Sequence, residues 1–194
     1  MKIRNGKTVR KQVKLTVHAL RKVAVIMLPF YQKLAADRSY SARWAKAVRE
    51  ADLDTLEKML RSVIGSVPLA SFGTNGIGYF IGFPLPKPLD VITNATSIRP
   101  GQVQFTFSGA INRSIAKAVV PLYREIANNA GYAALLVKAI NANNKPFLNR
   151  LLRSTVTTRR FTSLEIAYSG MFLGFKYPSS KYVYYNEVFL EFMR

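Results

Sequence analysis

Cysteine is absent from this 194-residue chain. That absence removes disulfides, thiol nucleophiles and thiolate metal sites together. Histidine occurs once, at His18, so no His-rich metal site and no relay through two imidazoles can be built. Acidic residues are scarce: 10 Asp and Glu stand against 29 Lys and Arg, a formal net charge of +19. Long apolar runs are missing too. The longest, residues 23–30, falls far short of the ~18–20 residues that cross a bilayer. The basic start leads into that run as a signal peptide does. It is, however, patterned over about 22 residues, and no convincing small-residue cleavage site follows. The N-terminus is read as retained and the protein as soluble, in no assigned compartment.

What is present is a folded chain with a basic surface. Apolar residues make up 49% of it, too many for intrinsic disorder, and the length allows one domain with a sizeable core. The positive charge is uneven. Residues 1–70 hold 15 basic and 5 acidic side chains, residues 111–160 hold 9 and 1, and residues 161–194 hold 3 and 3. Excess charge of one sign repels itself in a compact state, so an anionic partner is expected.

Periodicity sets the fold class. Val9, Val13, Val17, Leu20, Ala24 and Met27 recur every three or four positions and predict a basic amphipathic helix over 7–28, ended or kinked by Pro29. Asp54 and Glu57 fit a capping box before a further helix. Residues 71–101 are rich in glycine and proline and read as loop, hairpin or short strand, with 79–83 the clearest strand. Val103, Phe105 and Phe107 alternate with polar residues as in a half-buried strand. Helical periodicity returns from Ala110 through Arg153, with a kink expected at Pro121 and breaks at Asn128 and Asn141. Beyond it, 164–168, 171–176 and 182–192 read as strands, with a hairpin turn at 178–180. The expectation is an α+β fold: N-terminal helices, a central helical segment and an antiparallel sheet that includes a C-terminal hairpin. The divisions are a basic helical segment, 1–70, and an α+β core, 71–194, within one compact domain. No internal repeat is read.

Few residues offer catalysis. Asp52, Asp54 and Glu57 are explained by a helix start. A metal-dependent nuclease would need dispersed carboxylates such as Asp90, Glu125 and Glu165 to converge. Gly73, Gly76, Gly78 and Gly82 match no phosphate-loop spacing. No catalytic residue, metal site or cofactor is assigned. The signal lies in single-sign basic faces, where an ordinary helix surface would mix signs. The residues assigned to nucleic-acid binding are Lys7, Arg10, Lys11, Lys14, Arg21 and Lys22, then Lys145, Arg150, Arg153, Arg159 and Arg160. Arg113, Lys117, Arg124 and Lys138 extend the second group.

The expected function is a non-enzymatic basic protein that engages nucleic acid or another polyanion through phosphates, with little sequence preference. A virion or phage assembly component is one such setting. A second reading is a self-assembling structural protein, a homo-oligomer or one docked on acidic partner subunits. A third is a peripheral membrane protein that uses helix 7–28 and the Gly/Phe-rich loop 72–83.

Overall fold

The structure is a computed structural model and describes residues 13–99 and 106–191. Its first helix starts later than the apolar periodicity does. α1 spans Val17–Ala36, capped by Thr16, whose side chain accepts from the Ala19 amide at 3.1 Å. The side-chain oxygen satisfies a backbone donor that has no intrahelical partner, and so fixes the start. Residues 13–16 are not helical, and 7–12 lie outside the described residues. Pro29 does not end the helix. The bond it cannot make is to the carbonyl of Val25, a residue 55% exposed and within reach of water.

Two shorter helices follow, α2 (Arg38–Glu50) and α3 (Leu53–Ile64), each opened by an aspartate. Asp37 accepts from the Tyr40 amide at 2.8 Å and Asp52 from the Thr55 amide at 3.0 Å. The α3 cap is thus Asp52 and not Asp54, while Glu57 pairs with Arg61 one turn on. Three strands come next: β1 (Ser71–Thr74), β2 (Gly78–Pro84) and β3 (Val91–Ile98). Then the order repeats: α4 (Gly109–Asn128), α5 (Ala130–Asn141), α6 (Lys145–Arg153), β4 (Phe161–Ala167), β5 (Gly170–Lys176) and β6 (Val183–Glu191). The fold is α+β, with one six-stranded antiparallel sheet in the order β1-β2-β3-β6-β5-β4. Of the alternating stretch at 103–107, residues 103–105 lie outside the described residues. Phe107 is buried ahead of α4 and belongs to no strand.

The chain does contain an internal repeat. Adding 92 to a residue number carries the start of α1 onto α4, α3 onto α6, β2 onto β5 and β3 onto β6. The helix caps correspond: Thr16 with Ser108, Asp37 with Asn129, Asp52 with Asn144. Mid-helix prolines correspond, Pro29 with Pro121, as do the left-handed residues Ala51 and Asn143 after α2 and α5. Tyr40 matches Tyr132, Lys46 matches Lys138, Leu60 matches Leu152, and Gly82-Phe83 matches Gly174-Phe175. Strand register obeys the same shift. Phe72 pairs with Ile81 as Leu164 pairs with Leu173, and Tyr79 pairs with Thr96 as Met171 pairs with Val188. Between β3 and β6, Ala95 lies opposite its own counterpart Glu187, which puts a pseudo-twofold axis at that pair.

A closed ring of hydrogen bonds sits at this axis. The Tyr31 hydroxyl donates to Asn94 Oδ1 (2.7 Å), and Asn94 Nδ2 donates to the Tyr123 hydroxyl (2.5 Å). That hydroxyl donates to Asn186 Oδ1 (3.0 Å), and Asn186 Nδ2 returns to the Tyr31 hydroxyl (2.7 Å). Tyr31 and Tyr123 are counterparts on α1 and α4, and Asn94 and Asn186 on β3 and β6. All four are buried. Burial raises both tyrosine pKa values above the ordinary 10, so the hydroxyls keep the protons the ring needs.

One continuous apolar cluster packs the helices on this face of the sheet, from Leu20 and Met27 through Trp44, Tyr79 and Phe83 to Leu173, Phe175 and Leu190. Asn112 interrupts it. Asn112 is 1% exposed and both polar atoms of its side chain lack a partner, whereas its counterpart Leu20 is an ordinary core residue.

Two stability predictions follow from the mismatch between the halves. Asn112→Leu is expected to raise the denaturant midpoint by ~1–3 kcal/mol of stability, the cost of a buried unsatisfied amide. An unchanged midpoint would show that a buried water satisfies that amide. Ala51→Asn, which copies Asn143 at a positive φ, is expected to add ~0.5–1 kcal/mol in the same measurement, because asparagine tolerates this region better than alanine.

Candidate polyanion-binding cleft

The structure separates basic side chains that hold the fold together from those that remain free. Arg21 donates through Nη2 to the Ala127 carbonyl near the end of α4 at 2.8 Å, and Lys22 donates through Nζ to the Pro84 carbonyl at 2.6 Å. Arg153 donates to the Phe161 carbonyl at 2.7 Å and lies 4.3 Å over that ring. These three assigned binding residues are engaged with backbone carbonyls. Lys14, Lys145, Arg150, Arg159 and Arg160 are exposed, with Arg150 over Phe147 and Arg160 over Tyr177. Lys7, Arg10 and Lys11 lie outside the described residues.

Another group of cations collects where α2 crosses the start of α4. The helices approach closely because Gly109 has no side chain: a Cβ there would stand 3.2 Å from the Ser41 carbonyl oxygen and 3.3 Å from Ala42 Cα. The Ser41 hydroxyl donates to the Gly109 carbonyl at 3.0 Å and fixes the crossing. The result is a cleft of about 520 Å³ lined by Arg38, Ala42 and Arg49 from α2, with Gly109, Ala110, Arg113, Ser114 and Lys117 from α4. Four cations and no carboxylate line it. Arg49 is anchored through Nη1 on the Phe107 carbonyl at 2.6 Å. Arg113 has a buried Nε without a partner. No side-chain hydrogen bond or ion pair engages Arg38 or Lys117 among the described residues. Gly109 and Ala110 are the first residues of a 20-residue helix, so its positive dipole end adds to the same field. Guanidinium groups present planar forks of donors to phosphate oxygens.

The repeat supplies an internal comparison. A groove of about 520 Å³ also lines the matching face of α1, formed by Val17, His18, Arg21, Lys22, Val25 and Ile26. The first five are counterparts of Gly109, Ala110, Arg113, Ser114 and Lys117. Charge is only partly retained: the arginine is shared and Lys22 stands where the cleft has Ser114, with Lys22 held by the Pro84 carbonyl. Lys117 corresponds to the exposed Val25, Arg38 to Ala130 and Arg49 to Asn141. Asn141 holds the Leu15 backbone with two hydrogen bonds, at 3.0 and 2.9 Å, where Arg49 holds that of Phe107. Arg38 and Arg49 escaped the sequence reading because α2 also carries Asp37 and Glu50 and looks mixed in sign. A comparison of the halves at the 92-residue offset exposes them.

The other candidates do not assemble. Asp90, in the loop before β3, pairs with Lys87; Glu125 on α4 accepts from Asn129; and Glu165 on β4 pairs with Arg99. No group of three or more His, Asp or Glu able to hold a metal occurs among the described residues. The glycines at 78 and 82 belong to β2, where a Cβ would meet Ser97 Cβ at 2.5 Å and Ser71 Oγ at 2.1 Å; they allow strand packing. The segment 72–83 is therefore largely strand and not loop, with Tyr79, Ile81 and Phe83 in the core. No described helix is long and apolar enough to cross a membrane. No family model, no curated protein and no solved structure matches this chain.

The helix-capping hydrogen bonds hold Asp37 and Asp52 below the ordinary carboxylate pKa, whereas burial moves Glu187 the other way. Glu187 is 6% exposed on the sheet face away from the main core, and accepts from Ser97 Oγ at 2.6 Å. Loss of solvation pushes its pKa up to about 7, against the Ser97 bond and the Arg99 charge, which lower it. Between the ordinary 4.5 and about 7 the folded chain holds a proton that the unfolded chain has released. Stability therefore falls as pH rises through that window, by up to ~3 kcal/mol for a shift of this size. Glu187→Gln is expected to flatten this part of a pH–stability profile; an unaltered slope would place its origin in another group.

Proposed function

We propose that the protein is a non-enzymatic phosphate-contacting binder of nucleic acid or a similar polyanion, and that the α2–α4 cleft is its principal contact. The observation that carries this reading is the cleft's lining: Arg38, Arg49, Arg113 and Lys117 converge with no acidic residue among them. Only Arg49 of the four has a side-chain hydrogen bond within the chain among the described residues. A cationic surface with a merely structural role would resemble Arg21, Lys22 and Arg153, each of which donates to a backbone carbonyl. The exposed Lys145, Arg150, Arg159 and Arg160 supply a second, looser basic surface for a ligand longer than one cleft. Such contacts read charge and spacing, so the binding has little sequence preference.

The test is a salt series with labelled DNA and RNA on protein purified free of nucleic acid. Arg38→Ala/Arg113→Ala/Lys117→Ala is expected to weaken low-salt binding at least ~10-fold and to flatten the log–log salt slope by about 2–3, one contact for each lost cation. Arg150→Ala/Arg159→Ala/Arg160→Ala is expected to have the smaller effect. Affinity and slope unchanged in the cleft variant would overturn the assignment.

A further inference from the structure

We propose that the cationic cleft and the groove on α1 are two copies of one anion site, and that only the α2–α4 copy has the full set of cations. This rests on the polyanion reading and adds what determines it: residues 38, 49 and 117, together with whether the shared arginine at 21 or 113 is free.

The shared features are those of a common scaffold. Both grooves start at a capped 20-residue helix, Thr16 before α1 and Ser108 before α4. Both carry an arginine five residues after the cap, and in both the Nε of that arginine is buried without a partner. Both helices contain the matching proline, and the two grooves have equal volumes of about 520 Å³. The linings differ: Val17 stands for Gly109 and Lys22 for Ser114, the α1 groove is lined by α1 alone, and the charge and its availability change. Arg21 spends its Nη2 on the Ala127 carbonyl, whereas no hydrogen bond engages the Arg113 side chain among the described residues. Alanine, asparagine and valine stand at 130, 141 and 25 where the cleft has two arginines and a lysine.

This comparison answers whether folding demands the cations. The α1 side forms the same helices in the same register without them. At the one position where anchoring is needed, Asn141 holds the Leu15 backbone without charge. Arg49 therefore does two things where Asn141 does one. Positive charge at 38, 49 and 117 is dispensable to the scaffold and concentrated on one side of the pseudo-twofold axis. A phosphate-bearing ligand would accordingly meet one strong site per chain and not a symmetric pair.

The experiment restores the missing copy in the full chain. Val25→Lys/Ala130→Arg/Asn141→Arg is titrated calorimetrically with inorganic tripolyphosphate at low salt. A control, Leu53→Lys/Ser66→Arg/Thr157→Arg, carries the same added charge away from both grooves. The expected result is one strong site in the parent and the control and two in the restored chain. Combining the restoration with Arg38→Ala/Arg113→Ala/Lys117→Ala should leave one site. If the triple substitution disturbs folding through the Leu15 contact, Val25→Lys/Ala130→Arg leaves that contact intact and should still yield a second, weaker site. A folded restored chain with one site, or a control that gains as much as the restored chain, overturns the proposal while leaving the cleft assignment standing. Loss of the native site in neither cleft variant would instead overturn the cleft assignment itself.

Discussion

The four-membered ring of Tyr31, Asn94, Tyr123 and Asn186 is the constraint on which the rest of the arrangement depends. It ties the two longest helices to the two central strands, and it does so at the one place where the halves of the molecule meet. Each hydroxyl donates once and accepts once, and each amide accepts through Oδ1 and donates through Nδ2, so the cycle closes. The amides also reach the sheet backbone, Asn94 at the Glu187 carbonyl and Asn186 at the Ala95 carbonyl. A buried polar group gains only about 1 kcal/mol from its bond but costs ~1–3 kcal/mol when orphaned. The ring therefore contributes less through attraction than through the penalty on any other register: a slip of one residue between β3 and β6 would turn the asparagines to the opposite face.

Placing α1 and α4 across the axis determines where the remaining helices can lie, and the cleft follows from that. Each half must pack its second helix against the start of the other half's first helix. Arg49 reaches Phe107 and Asn141 reaches Leu15. Small residues make the approach close on the α2 side: Ser41, Ala42 and Ala45 face Gly109. A close approach of two backbones leaves the long side chains at the rim, and there Arg38, Arg113 and Lys117 collect. The concentration of charge is thus a consequence of where small residues permit the helices to touch.

Much of the fold was legible in the sequence, and the parts that were not share a cause. Helices showed through their apolar stripes, and the C-terminal strands through aromatic and β-branched residues. β3 was hidden because its core-facing positions include Asn94 and Thr96. The polar ring that centres the fold erased the apolar alternation that marks a strand. The repeat was hidden because its retained positions are caps, prolines, glycines and ring members scattered through unlike neighbours, and its 92-residue period is far longer than stacked-repeat architectures use. Residues 13–16 are not helical although apolar spacing runs through them, because the cap at Thr16 that starts α1 is a hydrogen bond and leaves no mark in hydropathy. Of the assigned basic residues, Arg21, Lys22 and Arg153 are held by carbonyls, and no count of charge along a chain distinguishes a cation serving a carbonyl from one facing solvent.

That distinction bears on how a chain of +19 tolerates its own charge. A guanidinium bonded to the carbonyl end of a helix opposes the local dipole and stabilises the fold. Four cations lining one cleft repel one another and lower the stability of the free protein, a strain relieved when an anion arrives. The two halves show both situations on one scaffold: Arg21 on the Ala127 carbonyl, and Arg113 among three further cations. Folding alone favours the first arrangement. The second persists on one side only, at the cleft proposed above as the phosphate contact.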